Sequence, residues 1–175
     1  MGAKILYDRT NSRRVRRGAF TLAEALLSAT VLAVISASAT LPFVAGVQQN
    51  QEAARLERAV AMGEAMMEEI MGRPFFTPSD RTPSPGPDAG KTRENFDNID
   101  DFHGYAESAG TARNFKNVVI ADSSTGGLWR SALVEYVTFP NQSAGDTNSF
   151  VRVTVQVFDG TTPLVSFTRI ASRED

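Results

Sequence analysis

The distribution of charge constrains this chain more than any other feature. Arg13, Arg14, Arg16 and Arg17 are followed by a stretch in which Glu24 is the only charged side chain before Glu52. Ala, Leu, Val and Ile dominate residues 20–47. A bilayer core is crossed by about 20 apolar residues in a helix, so this run is long enough to span one. A carboxylate inside such a helix costs about 3 kcal/mol on insertion scales, which makes Glu24 a functional candidate by default. The arginines precede the run, and a basic flank stays on the cytoplasmic side, so the chain beyond the run is expected outside.

The rest of the charge supports this division. Residues 1–19 hold six basic side chains against one acidic, a net of +5, while the remaining 12 basic and 19 acidic residues make −7. An acidic exported part argues against nucleic-acid binding through a basic patch. There is no cysteine among the 175 residues, so no disulfide staples the chain, and stability must come from packing.

The chain reads as five segments. Residues 1–19 are a leader, to be set aside in fold reasoning. Residues 20–47 are the apolar half of a helix. Pro42 within it removes one backbone hydrogen bond, and a kink is expected there. Residues 48–73 continue the helix in amphipathic form. Leu56, Val60, Gly63, Met67 and Ile70 keep the three–four spacing of one buried face, and Arg73-Pro74 ends the helix. Residues 74–114 are a Pro/Gly-rich loop region containing a compact element with Phe96, Phe102 and Tyr105 among aspartates. Residues 115–175 are expected to form an antiparallel sheet with strands at 115–121, 129–139, 150–158 and 164–170. In the third, Val151, Val153, Val155 and Val157 alternate with Arg152, Thr154 and Gln156, the period of a half-buried strand. Asp159-Gly160 marks a tight turn. The expected fold class is α+β: a long N-terminal helix whose second half packs on this sheet.

Phe20, Thr21, Leu22 and Glu24, behind a basic leader and ahead of an apolar run, form a composite pattern. It resembles the processing site of type IV prepilins and type II secretion pseudopilins. The resemblance implies a pilin-like fold and a membrane peptidase that cuts between Ala19 and Phe20 and methylates the new Phe20 amine. The family usually has Gly immediately before the cut. Here Ala19 stands there and Gly18 one place earlier. A cut after Gly18 would restore the Gly but carry Glu24 one residue further from the new terminus, so the cut after Ala19 is preferred. The resemblance further implies that Glu24 pairs with the Phe20 amine of a neighbouring subunit during assembly. A second stretch, Met67 to Ile70, Arg73-Pro74-Phe75 and then Phe96-Asp97-x-Ile99-Asp100-Asp101-Phe102-His103-Gly104, is similar to the D-type minor pilins of mannose-sensitive haemagglutinin pili. The implied partners are other pilin or pseudopilin subunits, the prepilin peptidase and methyltransferase, an inner-membrane assembly platform and membrane lipid. The implied location is the inner membrane, single-pass with the leader cytoplasmic, and then a pilus or pseudopilus.

Other readings weigh less. Asp97, Asp100 and Asp101 offer oxygen ligands for Ca²⁺, but not at the spacing of an EF-hand loop. Met62, Met66, Met67 and Met71 fill gaps in packing more readily than they bind metal. His103 is the single histidine, and neither a nucleophile elbow nor a zinc-binding helix accompanies it. Neither catalysis nor a cofactor is expected. The alternative function is a soluble exported binding protein, released by signal peptidase after Ala37-Ser38-Ala39. Glu24 and the apolar residues continuing past Thr40 speak against it.

Overall fold

The structure is a computed structural model and describes residues 20–77, 85–120, 125–143 and 148–173. The expected leader, with Gly18 and Ala19, lies outside the described residues, as do parts of the expected loops at 78–84 and 144–147 and position 121. The chain divides into two units, Met1–Val47 and Gln48–Asp175, and the boundary falls inside the single long helix α1, Leu22–Met71.

In the first unit, α1 runs through Pro42 without a break. Phe20 and Leu22 are each 80% exposed, and no described residue of the segment is buried. Three of its hydroxyls bond back within the helix. Thr30, Ser38 and Thr40 donate to the carbonyls of Leu27, Ile35 and Ser36 at 2.8, 2.9 and 2.8 Å. Bonding back to the preceding turn hides a polar group that an apolar surrounding could not solvate.

In the second unit, the helix buries one face. Ala59, Gly63, Met66, Met67 and Ile70 are the buried positions. The expected face is present at Gly63, Met67 and Ile70, but Leu56 is 48% exposed and Ala59 takes its place. The reason is geometric. A Cβ on Gly63 would run into the Phe167 ring and Val157, so the helix approaches the sheet closely there, and small Ala59 suits that approach where a leucine would not. The helix closes with Gly72 N–H donating to Glu68 at 2.9 Å and Arg73 N–H to Ile70 at 3.1 Å, before Pro74.

The sheet is a four-stranded antiparallel meander in the order β1-β2-β3-β4: Tyr105–Ala106, Leu128–Tyr136, Phe150–Asp159 and Thr162–Ser172. Three of the expected strands are found with small changes of boundary. The fourth is not. Residues 115–120 form no strand, and the described part of that segment is a tight loop with an isolated bridge between Arg113 and Val119. Its left-handed Asn117 (φ 58°) turns the chain too sharply for a ladder. The first strand is instead β1, inside the region expected to be loop. Asp159 and Thr162 pair across Gly160, whose φ of 57° makes the turn.

Val151, Val153, Val155 and Val157 are fully buried, and with Ala132 and Val134 they line the face toward the helix. Met66, Met67, Ile70, Phe96, Ile99 and Phe102 complete the core. Phe102 meets Phe96 edge-on at 4.9 Å between centroids and Tyr105 at 6.3 Å, an arrangement that suits the ring quadrupoles. The aromatics of the 96–105 element thus pack in one core with the helix methionines.

Candidate functional site

The start of α1 is the first candidate. Thr21 and Glu24 form a reciprocal capping box. Glu24 N–H donates to Thr21 Oγ1 at 3.2 Å, and Glu24 Oε2 accepts from Thr21 N–H at 3.0 Å and from Thr21 Oγ1 at 3.1 Å. Two backbone donors that a helix N-terminus leaves orphaned are satisfied together. Thr-x-x-Glu ahead of an apolar run is a sequence signature of this cap, and it announces the local role of Glu24 without a structure. The carboxylate therefore holds the first turn of a helix whose next 27 residues carry no charge.

The aspartates considered for calcium separate into two arrangements. Asp97 Oδ1 and Asp101 Oδ2 converge on Lys91 Nζ at 3.0 and 3.1 Å, with Asp88 Oδ2 at 2.8 Å. A built-in ammonium thus sits between carboxylates. Partial burial disfavours the charged lysine, yet its hydrogen bonds to Asp88, Asp97 and Asp101 outweigh that and hold its pKa above the ordinary lysine range. Asp100 points elsewhere and accepts from Tyr136 Oη at 2.8 Å. Burial and this hydrogen bond to a carboxylate push the Tyr136 phenol up. No three His, Cys, Asp or Glu side chains among the described residues are placed to hold a metal ion. His103 Nδ1 donates to the Val134 carbonyl, a structural bond.

A buried ionic network has no counterpart in the sequence pattern. Glu107 Oε1 accepts from Arg93 at 2.9 Å and Arg130 at 2.5 Å, and Oε2 accepts from Arg130 Nε at 3.1 Å and Arg130 N–H at 2.9 Å. Arg93 also makes a two-point contact with Glu69 of α1, Nε to Oε1 at 3.1 Å and Nη2 to Oε2 at 2.5 Å. Burial works against the Arg93 charge, but Glu69 and the Tyr105 hydroxyl hold its pKa up, so it stays cationic. Both arginines donate to the Arg113 carbonyl, and Arg113 N–H donates to Glu107 at 2.9 Å. The network ties helix, 3₁₀ turn, β2 and the 113–120 loop together. Its ion pairs join residues 14 to 24 apart in sequence, so no local pattern announces them.

No family model, curated protein or solved structure matches this chain.

Proposed function

We propose that this chain is a non-catalytic, pilin-like filament subunit, a minor pilin or pseudopilin, stored in the inner membrane by residues 20–47 and assembled through that helix. The observation that carries the reading is the start of α1. One carboxylate, held by Thr21 at the first turn, precedes an apolar helix long enough to cross a membrane. Cleavage between Ala19 and Phe20 would place a cationic amine at the end of this turn, since α-amino groups titrate near pKa 7.7. In a bundle of such helices, Glu24 of one subunit would neutralise the Phe20 amine of the next and set their axial register. The leader would stay cytoplasmic and the sheet domain would be exported. The partners would be other subunits, the prepilin peptidase and methyltransferase, the assembly platform and lipid. Glu24 within the apolar run, and the apolar residues that continue past Thr40, support this reading over release by signal peptidase.

Mass spectrometry of the native N-terminus tests processing. The expected start is methylated Phe20. A start at Ala19 shifts the register by one, and a start at Thr40 replaces the proposal with a soluble exported protein. Variants at Glu24 test assembly. Glu24→Gln keeps the capping box, because glutamine serves at that position, but removes the charge. Expected outcomes are normal leader cleavage in membrane fractions and loss of the subunit from sheared filaments. Thr21→Ala is the complement, because it breaks the box and leaves the charge. Normal incorporation of Glu24→Gln would reduce Glu24 to a helix cap.

A further inference from the structure

Strand β4 forms one edge of the sheet, and no described strand pairs with its outer side. Arg173 N–H donates to the Ser149 carbonyl at 2.8 Å, which fixes the alternation of bonds along the ladder. In that register Val165, Phe167, Arg169 and Ala171 turn their backbone groups to β3, and Ser166, Thr168 and Ile170 turn theirs outward. Three N–H donors and three carbonyl acceptors thus stand in a row on the open edge. The opposite edge is β1, only two residues long. Long open edges are normally blunted by proline, a bulge or charge. Here Pro163 and the irregularity at Val157 and Phe158 protect only the start of β4, and Arg169 is its one charge.

At the far end of the edge the backbone row runs into a cavity of about 740 Å³. Ile170 and Ser172 form its strand side, and Phe75 and Phe76, in edge-on contact at 4.7 Å, form another wall. Arg73 and Arg173 complete it, and no described acidic side chain lines it. Arg73 forms no ion pair among the described residues. Ile99 also borders the cavity, but its neighbour Asp100 is buried and accepts from Tyr136 Oη. Charges of both signs lie elsewhere. Arg152 stands opposite Ile170 on one side and opposite Glu135 on the other. Glu64 of α1 follows Gly63, where the helix lies against Phe167 in the middle of β4. The cavity end of the edge is therefore cationic, and the rest is mixed.

We infer that the β4 edge and this cavity together bind an extended segment of a partner protein. The segment adds a strand beside Ser166, Thr168 and Ile170, places an apolar side chain against Phe75 and Phe76, and sets an acidic side chain between Arg73 and Arg173. Backbone pairing on such an edge supplies affinity, and side-chain pockets supply specificity. The unpaired row calls for an extended backbone, the aromatic wall for an apolar side chain, and two guanidiniums without a lining acid for a carboxylate. A second copy of this chain is a poorer occupant. β4 and α1 run in the same direction, from Phe167 against Gly63 to Ile170 and Met71 on the one cavity. Two β4 strands paired antiparallel would put the two Gln48 residues at opposite ends of the pair, whereas chains anchored through residues 20–47 leave one membrane on the same side. Parallel pairing about a two-fold axis would set Thr168 against Thr168, so that donors meet donors. The antiparallel exclusion rests on the membrane reading, but the binding site itself does not.

The probes are two capped peptides, acetyl-Thr-Val-Thr-Val-Phe-Glu-amide and its reversed sequence, since either strand direction satisfies the edge. Each carries a fluorophore and is titrated to about 1 mM against detergent-solubilised full chain, with anisotropy as the readout. Saturable binding of at least one is expected, with slowed hydrogen exchange at Ser166, Thr168 and Ile170. Thr168→Pro removes an outward N–H and no bond to β3, so the domain should fold as before while binding falls about ten-fold. Arg73→Glu should weaken binding about ten-fold, and replacing the peptide's glutamate by lysine should restore it. Trp129 fluorescence checks the fold of each variant. The proposal is overturned if neither peptide binds, if Thr168→Pro binds as well as wild type, or if Arg73→Glu has no effect. Full-chain dimers cross-linked through Ser166→Cys, in place of peptide binding, would also overturn it and assign the edge to a second copy. A chain that fails the Phe20 processing test and still binds the peptide would keep this inference and lose the filament reading.

Discussion

Between residues 22 and 47, α1 leaves Leu22, Leu41 and Phe43 74–80% exposed, while between 48 and 71 it buries Met66, Met67 and Ile70 almost completely. The two halves belong to one helix, and the first is the more apolar. Apolar content alone therefore does not decide what a segment packs against. The second half alternates an apolar face with glutamates and arginines, and that periodicity gives a sheet something to bind. The first half is apolar all round, which suits a lipid surrounding or a bundle of identical helices, and no other described element of its own unit covers it. The carboxylates divide in the same way. Glu24 holds a helix start locally, whereas Glu107 joins parts of the chain distant in sequence.

The largest expected difference between the two regions comes from those carboxylates. Glu107→Ala leaves Arg93 and Arg130 buried around a missing partner, and breaking such a network costs about 3–5 kcal/mol. Glu24→Ala removes a cap from a segment outside the domain core and should leave domain unfolding unchanged. Trp129, the single tryptophan, stacks on Phe158 at 4.3 Å and provides a fluorescence probe within the domain. Denaturant unfolding of detergent-solubilised protein should show a large loss of midpoint for Glu107→Ala alone. A loss below about 1 kcal/mol would mean the network positions the 113–120 loop without stabilising the fold.

A matched pair of isoleucines comes next. Ile70 is fully buried in the core, so Ile70→Ala should cost about 2–5 kcal/mol. Ile35 is 58% exposed, and Ile35→Ala should change domain unfolding by less than about 0.5 kcal/mol. Equal effects would show that the two halves unfold as one unit.

The regions also differ in how much of them is legible in the sequence. The apolar run, the position of Glu24, the alternating valines of β3 and the turn at Gly160 all come from local periodicity, and the structure has each of them in place. The departures lie where tertiary geometry overrides local pattern. Leu56 has the right spacing for the buried face, but the close approach at Gly63 favours Ala59. Residues 115–120 have the apolar β-branched composition of a strand, yet Asn117 and the hydrogen bonds to Arg113 fold them into a knuckle. The Arg93–Glu107–Arg130 network joins charged residues distant in sequence, and no local pattern pairs them. At the helix start, Gly18 and Ala19 lie outside the described residues. The role of Glu24 as a cap is legible in Thr-x-x-Glu, although its charge in an apolar run is the louder signal.

Glycines give a comparison in which the sign of the effect changes. A Cβ on Gly63 would collide with the Phe167 ring and come within 3.1 Å of Val157, so Gly63→Ala should destabilise the domain by about 1–3 kcal/mol. A Cβ on Gly46 meets nothing within 4 Å, and alanine there favours the helix by up to about 1 kcal/mol. Circular dichroism melts should show a lower transition for the first variant and unchanged or greater helix retention for the second. Stabilisation by Gly63→Ala would mean that the helix stands further from β3 and β4 than the structure places it.

The smallest expected effect is a pH dependence confined to the second unit. Between Glu24 and Glu52 no titratable side chain is present, so any alkaline transition must arise elsewhere. Lys91 and Tyr136 both have pKa values raised by the fold. A group whose folded pKa exceeds its unfolded value contributes its full stabilisation below the unfolded pKa, about 10 for both types, and loses it as pH rises beyond that. Stability from these two groups should therefore be flat from neutral pH to about 10 and decline above it. Lys91→Met removes the ammonium between Asp88, Asp97 and Asp101 and should cost about 1 kcal/mol at pH 8, because the site is only partly buried. The difference between wild type and variant should begin to close above about pH 10.4, where an unfolded lysine loses its proton, and go on closing as pH rises toward the raised folded value. Melting temperatures of both proteins, tracked at Trp129 from pH 8 upward, measure this directly. A gap that stays constant across the range would show that the lysine acts through its aliphatic stem and not through its charge.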